Sequence, residues 1–128
     1  MSIVTKLLKD FVDEVNRTAE ATSEKTVHDL RVSVRRLSTA LRIFGDEIPH
    51  ARRLRKELRE IRDRAAAVRD RDVIRALFRR HRLLTSDPAF IYLNGQRDLA
   101  ASQLRDYLRA LVGKDRPHRW RQWIGEAE

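Results

Sequence analysis

Apolar residues recur three and four positions apart along almost the whole chain, and no stretch alternates as a half-buried strand would. The pattern predicts a first helix from about Ser2 to Ala19, with Val4, Leu7, Leu8, Phe11 and Val15 on one side. Thr22, Ser23 and Thr26 offer capping hydroxyls for a second, whose apolar line is Val27, Leu30, Val34, Leu37, Leu41 and Phe44. Gly45 is expected to end it in a left-handed cap, and Pro49 to occupy the first turn of the third. That helix carries Ala51, Leu54, Leu58, Ile61, Ala65 and Val68. A helix running on from Pro49 to Leu84 would be unusually long, so a break is expected at Arg69–Asp72, followed by a fourth helix using Val73, Ile74, Leu77 and Phe78. Ser86-Asp87-Pro88 reads as a cap plus first-turn proline, opening a fifth helix to about Val112 with Leu93, Ala100, Leu104, Tyr107, Leu108 and Leu111. Gly113 stops it, and Pro117 to Ile124 adds a short helical tail. The fold class is all-α, an antiparallel bundle of about four to five helices.

Length narrows the picture: 128 residues with 41% apolar content predict one domain over residues 1–128, too short for two cores. The chain has no Cys, which removes thiol catalysis, Cys-based zinc sites and disulfides, and makes the cytoplasm the expected compartment. No apolar run is long enough to span a bilayer, and acids interrupt the first helix, so neither a membrane span nor a signal peptide is expected.

Charge changes the picture more. The net charge of +9 arises entirely between residues 28 and 82, which hold 17 Lys or Arg against 8 Asp or Glu. A basic stretch of this kind attracts polyanions without choosing among nucleic acid, anionic lipid and phosphate chains. Arg outnumbers Lys 23 to 5, and the planar guanidinium fork engages phosphate oxygens in pairs. GC-rich coding alone would raise Arg, but it would not cluster it.

On a helix turning about 100° per residue, placing His28 at 0° puts Arg31 at about 300°, Arg35 at about 340° and Arg42 at about 320°, with Arg36 flanking at about 80°. On the next helix, placing Arg52 at 0° puts Arg55 at about 300°, Arg59 at about 340°, Arg62 at about 280° and Lys56 at about 40°. A charged helix face is ordinarily just solvated. Solvated faces mix signs at i and i+4, however, whereas Arg31/Arg35 and Arg55/Arg59 are like-charge pairs that repel. Two consecutive antiparallel helices bearing such stripes would form one groove, and an anion in it would relieve the repulsion.

The string Val27-His28-Asp29-Leu30-Arg31-Val32-Ser33-Val34-Arg35-Arg36-Leu37, followed by Ala40-Leu41-Arg42-Ile43-Phe44, resembles the signature of CHAD domains, the conserved histidine α-helical domains. Leu54 to Leu58 and then Val68-Arg69-Asp70-Arg71-Asp72-Val73 resemble that family's second basic helix and the Arg-Asp-x-Asp-Val segment after it. The resemblance covers roughly residues 4 to 80. It implies noncovalent binding of inorganic polyphosphate in a basic channel, and association with polyphosphate bodies. The family's histidine maps to His28 and its basic positions to Arg31, Arg35, Arg36, Arg42, Arg52, Arg55, Lys56, Arg59 and Arg62. A full family domain is about twice this length, two similar bundles facing each other across the channel. This chain resembles the first, so a homodimer is expected to supply the second. Ala66-Ala67 stands where the family often has Gly, and Ser38 where another Arg is common.

Other motifs have weaker claims. His28-Asp29-Leu30-Arg31 also resembles the phosphoacceptor box of sensor histidine kinases, but Val32-Ser33 replaces the Thr or Asn and Pro that normally follow, and no nucleotide-binding segment is present. Asp70-Arg71-Asp72 could hold a metal, although residues two apart do not share a helix face and surrounding Arg disfavours a cation; capping and Arg orientation are the expected jobs. His50, His81 and His118 suggest no ligand set. Trp120 and Trp123 among Arg116, Arg119 and Arg121 could stack bases, but their spacing fits packing on the bundle or a dimer interface better. No Gly-rich phosphate loop or carboxylate cluster suggests hydrolysis, so the reading is non-enzymatic, without cofactor or metal. The alternatives are a nucleic-acid-binding basic protein, a histidine phosphotransfer hairpin and a scaffold dimer.

Overall fold

The computed structural model describes residues 2–127. Five α-helices follow one another: α1 (Ile3–Glu20), α2 (Glu24–Phe44), α3 (Ala51–Arg80), α4 (Pro88–Gly113) and α5 (Arg116–Ala127), with one 3-10 turn, Gly45–Glu47, after α2. Helix α1 packs on α2, α2 on α3 and α3 on α4, and α4 returns to α1, while α5 packs on α1 and α4. Short connections force sequential neighbours to run antiparallel.

The inner faces are those the periodicity predicts. Leu8, Phe11 and Val15 of α1, Leu30, Leu37 and Leu41 of α2, Leu54, Leu58 and Ile61 of α3, and Leu104 and Leu108 of α4 are buried in one cluster. Trp120, Trp123 and Ile124 close it from α5, Trp120 stacking on Phe11 with ring centroids 5.3 Å apart. The tryptophans therefore pack on the bundle. Ser23 caps α2 in a reciprocal box with Thr26, and Asp87 caps α4 through the Ala89 amide, with Pro88 in the first turn.

Several local expectations are corrected. No break occurs at Arg69–Asp72, because α3 runs unbroken for 30 residues. Asp72 does not cap anything: its buried carboxylate accepts from Arg75 at 2.8 Å and from Arg97 of α4 at 3.0 Å, and Arg97 also reaches the Thr22 carbonyl. A partner distant in sequence thus uses the group that would otherwise stop the helix. Beyond Asp72, α3 extends past this junction, so Val73, Ile74 and Leu77 are 40–45% exposed. They belong to the end of α3, not to a separate helix in the core.

Gly45 is not left-handed, with φ −67°. Its lack of a side chain instead clears room for the Arg55 guanidinium, with which a Cβ at this position would collide. Pro49 precedes α3 instead of entering it: the N-cap is His50, at φ 58°, its ring 4.9 Å from that of Trp123.

Candidate functional site

The outward faces of α2 and α3 bound a trough of about 490 Å³. Helix α2 contributes His28, Arg31, Arg35 and Arg42, and α3 contributes Arg55, Arg59 and Arg62; Val32, Val34, Ser38 and Thr39 complete the lining. Each helix turns an apolar stripe into the core, which fixes its rotation and leaves the basic stripe outside.

Most of these cations are not consumed by the fold. Among the described residues, Arg35, Arg42 and Arg59 form no ion pair or side-chain hydrogen bond, and none is formed by Arg31 either. Two members are partly engaged. Arg55 donates from Nη2 to the Leu41 carbonyl at the end of α2, where the helix dipole favours a cation. Arg62 pairs with Asp63 at 3.1 Å, but both side chains are more than half exposed, so the pair contributes little.

Arg31 is the most informative member. It is partly buried and its Nε is enclosed without an acceptor. Burial lowers its pKa from the ordinary guanidinium value, the nearby Arg69 charge lowers it further, Asp70 opposes this and Arg35 adds to it. The group stays charged at neutral pH. The fold therefore holds a cation where its charged form is disfavoured, and an oxyanion would supply the missing compensation.

A second hollow of about 650 Å³ continues the trough toward the far end of α3 and shares His28 and Arg31 with it. Lys25, Arg69 and Arg80 line it, against an apolar wall that includes Val27, Val73 and Leu77. Sequence reasoning missed Arg69 and Arg80 because it ended the stripe's helix at a break over Arg69–Asp72. With α3 continuous, Arg55, Arg59, Arg62, Arg69 and Arg80 fall within about 80° of helix rotation, and extending the stripe would have found them.

Three sequence-predicted positions lie elsewhere. Arg36 lines a hollow between α1 and α2 beside Asp10, Asp13 and Glu14. Arg52 and Lys56 line a cleft on the α4 side of α3. Asp72, considered for metal, is held in its buried ion pairs, and among the described residues no group of three His, Asp or Glu side chains could hold a metal ion. Among the described residues no helix is long and apolar enough to cross a membrane.

No curated protein and no solved structure shows a significant match to the chain. The family model of the CHAD domain matches residues 2–128, far beyond the two basic motifs and through α4 and α5. A helical bundle with an arginine-lined trough, matched from end to end in this way, belongs to the CHAD domain family.

Proposed function

We propose that the chain binds inorganic polyphosphate noncovalently along the trough between α2 and α3. Membership of the CHAD family is consistent with polyphosphate binding in general. The observation that carries the specific reading is the set of guanidinium groups lining one trough, with Arg31, Arg35, Arg42 and Arg59 forming no ion pair among the described residues. His28 lines the trough and its continuation, where a ring N–H can donate to a phosphate oxygen.

Single exposed ion pairs contribute about 0–1 kcal/mol each, so affinity comes from many phosphates engaged at once. Short chains bind weakly, and binding falls as salt rises and counterion release loses its advantage. Binding of this kind would take the protein to polyphosphate bodies in the cytoplasm. The trough is open on one side, and a second copy of the chain would supply the opposite wall; a monomer in sedimentation both with and without polyphosphate would overturn that dimer.

The deciding experiment is a competition titration of long-chain polyphosphate against duplex and single-stranded DNA at about 150 mM salt, where exposed charges are screened within about 8 Å. Polyphosphate is expected to displace DNA. Equal or tighter DNA binding would make this a nucleic-acid-binding protein instead, and chain shortening in the presence of Mg²⁺ would make it an enzyme.

A further inference from the structure

The flank of α3 away from the trough carries a second basic cleft, of about 830 Å³, between α3 and α4. Arg52, Arg53 and Lys56 line it from α3, and Lys114 from just beyond α4. Two acids also line it, but both are engaged by other guanidinium groups. Glu57 accepts two hydrogen bonds from the buried Arg116, and Glu60 accepts from Arg64 Nε at 2.8 Å. Arg53 stands 4.0 Å from Glu57, at the edge of ion-pair range. Arg52, Lys56 and Lys114 form no ion pair or side-chain hydrogen bond among the described residues. Arg52 and Lys56 are also one helical turn apart, so they repel each other as the trough pairs do.

The two basic surfaces are joined across α3. Placing Arg55 at 0°, Arg59 falls at about 40°, Arg52 at about 60° and Lys56 at about 100°, while Arg53 at about 160° turns into the cleft. In these first turns no acid stands between the trough and the ridge residues Arg52 and Lys56.

We propose that this cleft is a second oxyanion site, in which Arg52, Arg53, Lys56 and Lys114 hold a stretch of phosphate chain, and that a long chain passes from the trough over the α3 ridge into it. The ligand class rests on the reading of the trough; the cleft and its unpaired cations do not. A chain held at both places gains avidity over one held at either.

Amide-resolved NMR titrations with sodium tripolyphosphate, paired with affinity measurements on long-chain polyphosphate, test this on three full-length variants. They are Arg35→Glu/Arg59→Glu in the trough, Lys56→Glu/Lys114→Glu in the cleft, and Arg119→Glu/Arg121→Glu, a control of equal net charge on the exposed face of α5. With tripolyphosphate, the trough variant is expected to keep saturable shifts around Tyr107 and Lys114, and the cleft variant to lose them while keeping shifts around Arg31 and Arg35. For long chains the cleft variant should bind about tenfold more weakly than the control, a loss typical of forfeited avidity. No saturable shifts at the cleft in the trough variant, or long-chain binding by the cleft variant equal to the control, would overturn the proposal. Cleft shifts without any response at Arg31 and Arg35 in the wild-type chain would sustain the second site and overturn the trough.

Discussion

Arginines at the buried helix junctions and arginines in the open trough illustrate how one residue type serves two ends. At the helix junctions, Arg97 and Arg75 meet the buried Asp72, Arg116 meets Glu57, and Arg109 of α4 donates to the Ala19 carbonyl of α1 at 3.0 Å. The side chains of Arg97 and Arg116 are only 11% and 8% exposed. In the trough, Arg35, Arg42 and Arg59 stand exposed with no acceptor. Where an arginine is almost wholly buried, as Arg97 and Arg116 are, the fold supplies a carboxylate or carbonyl. Where it withholds one, the charge remains available to a ligand.

The largest effect should come from removing an acceptor on the paired side. Asp72→Ala leaves two guanidinium groups in a buried site without their carboxylate, and should lower the unfolding free energy in urea by about 3–5 kcal/mol. A loss below about 1 kcal/mol would erase the distinction between the two sides.

Next comes the unpaired side. Arg35→Glu/Arg59→Glu should weaken long-polyphosphate binding by about tenfold or more and flatten the log–log salt dependence by about 1.4 for two lost contacts. Stability should stay within about 0.5 kcal/mol of wild type, as for surface substitutions generally. A large fall in melting temperature together with unchanged binding would reverse the assignment.

Gly45→Ala probes the boundary between the two behaviours. The new methyl displaces the Arg55 guanidinium from the Leu41 carbonyl, forfeiting about 0.5–1.5 kcal/mol of hydrogen bonding, and the change from glycine at a helical φ returns part of it. The net change in stability should be under about 1 kcal/mol, read by urea unfolding, with crystal structures of the wild-type and variant proteins showing Arg55 moved. Arg62→Ala should be the mildest. It breaks an exposed pair with Asp63 for less than about 0.5 kcal/mol, and should cost less affinity than Arg59→Ala in the same titration.

The helices were readable in the sequence because their apolar spacing and caps are local. Ser23 with Thr26 and Asp87 with Pro88 act within one turn, and the three-and-four spacing of Leu30, Leu37 and Leu41 places them inside. The continuity of α3 was not readable, because the group that suggested a stop, Asp72, is used by Arg97, 25 residues away. The exposure of Val73, Ile74 and Leu77 was hidden for a related reason, since it depends on where the neighbouring helices end. Helix angles predicted the stripes but not which neighbour each residue would face. Arg36 turns toward α1, while Arg52 and Lys56 turn toward α4, and such distinctions require the packing of the whole bundle.

An uninterrupted α3 carries a constraint on length as well as on composition. Its 30 residues form one screw of about 45 Å, and Arg55 and Arg69 open into connected hollows because the interval between them is close to four whole turns. One inserted residue between them would rotate everything downstream by about 100° and carry Arg69 and Arg80 out of alignment. The surface of this rod can be retuned side chain by side chain, but its helical phase cannot drift.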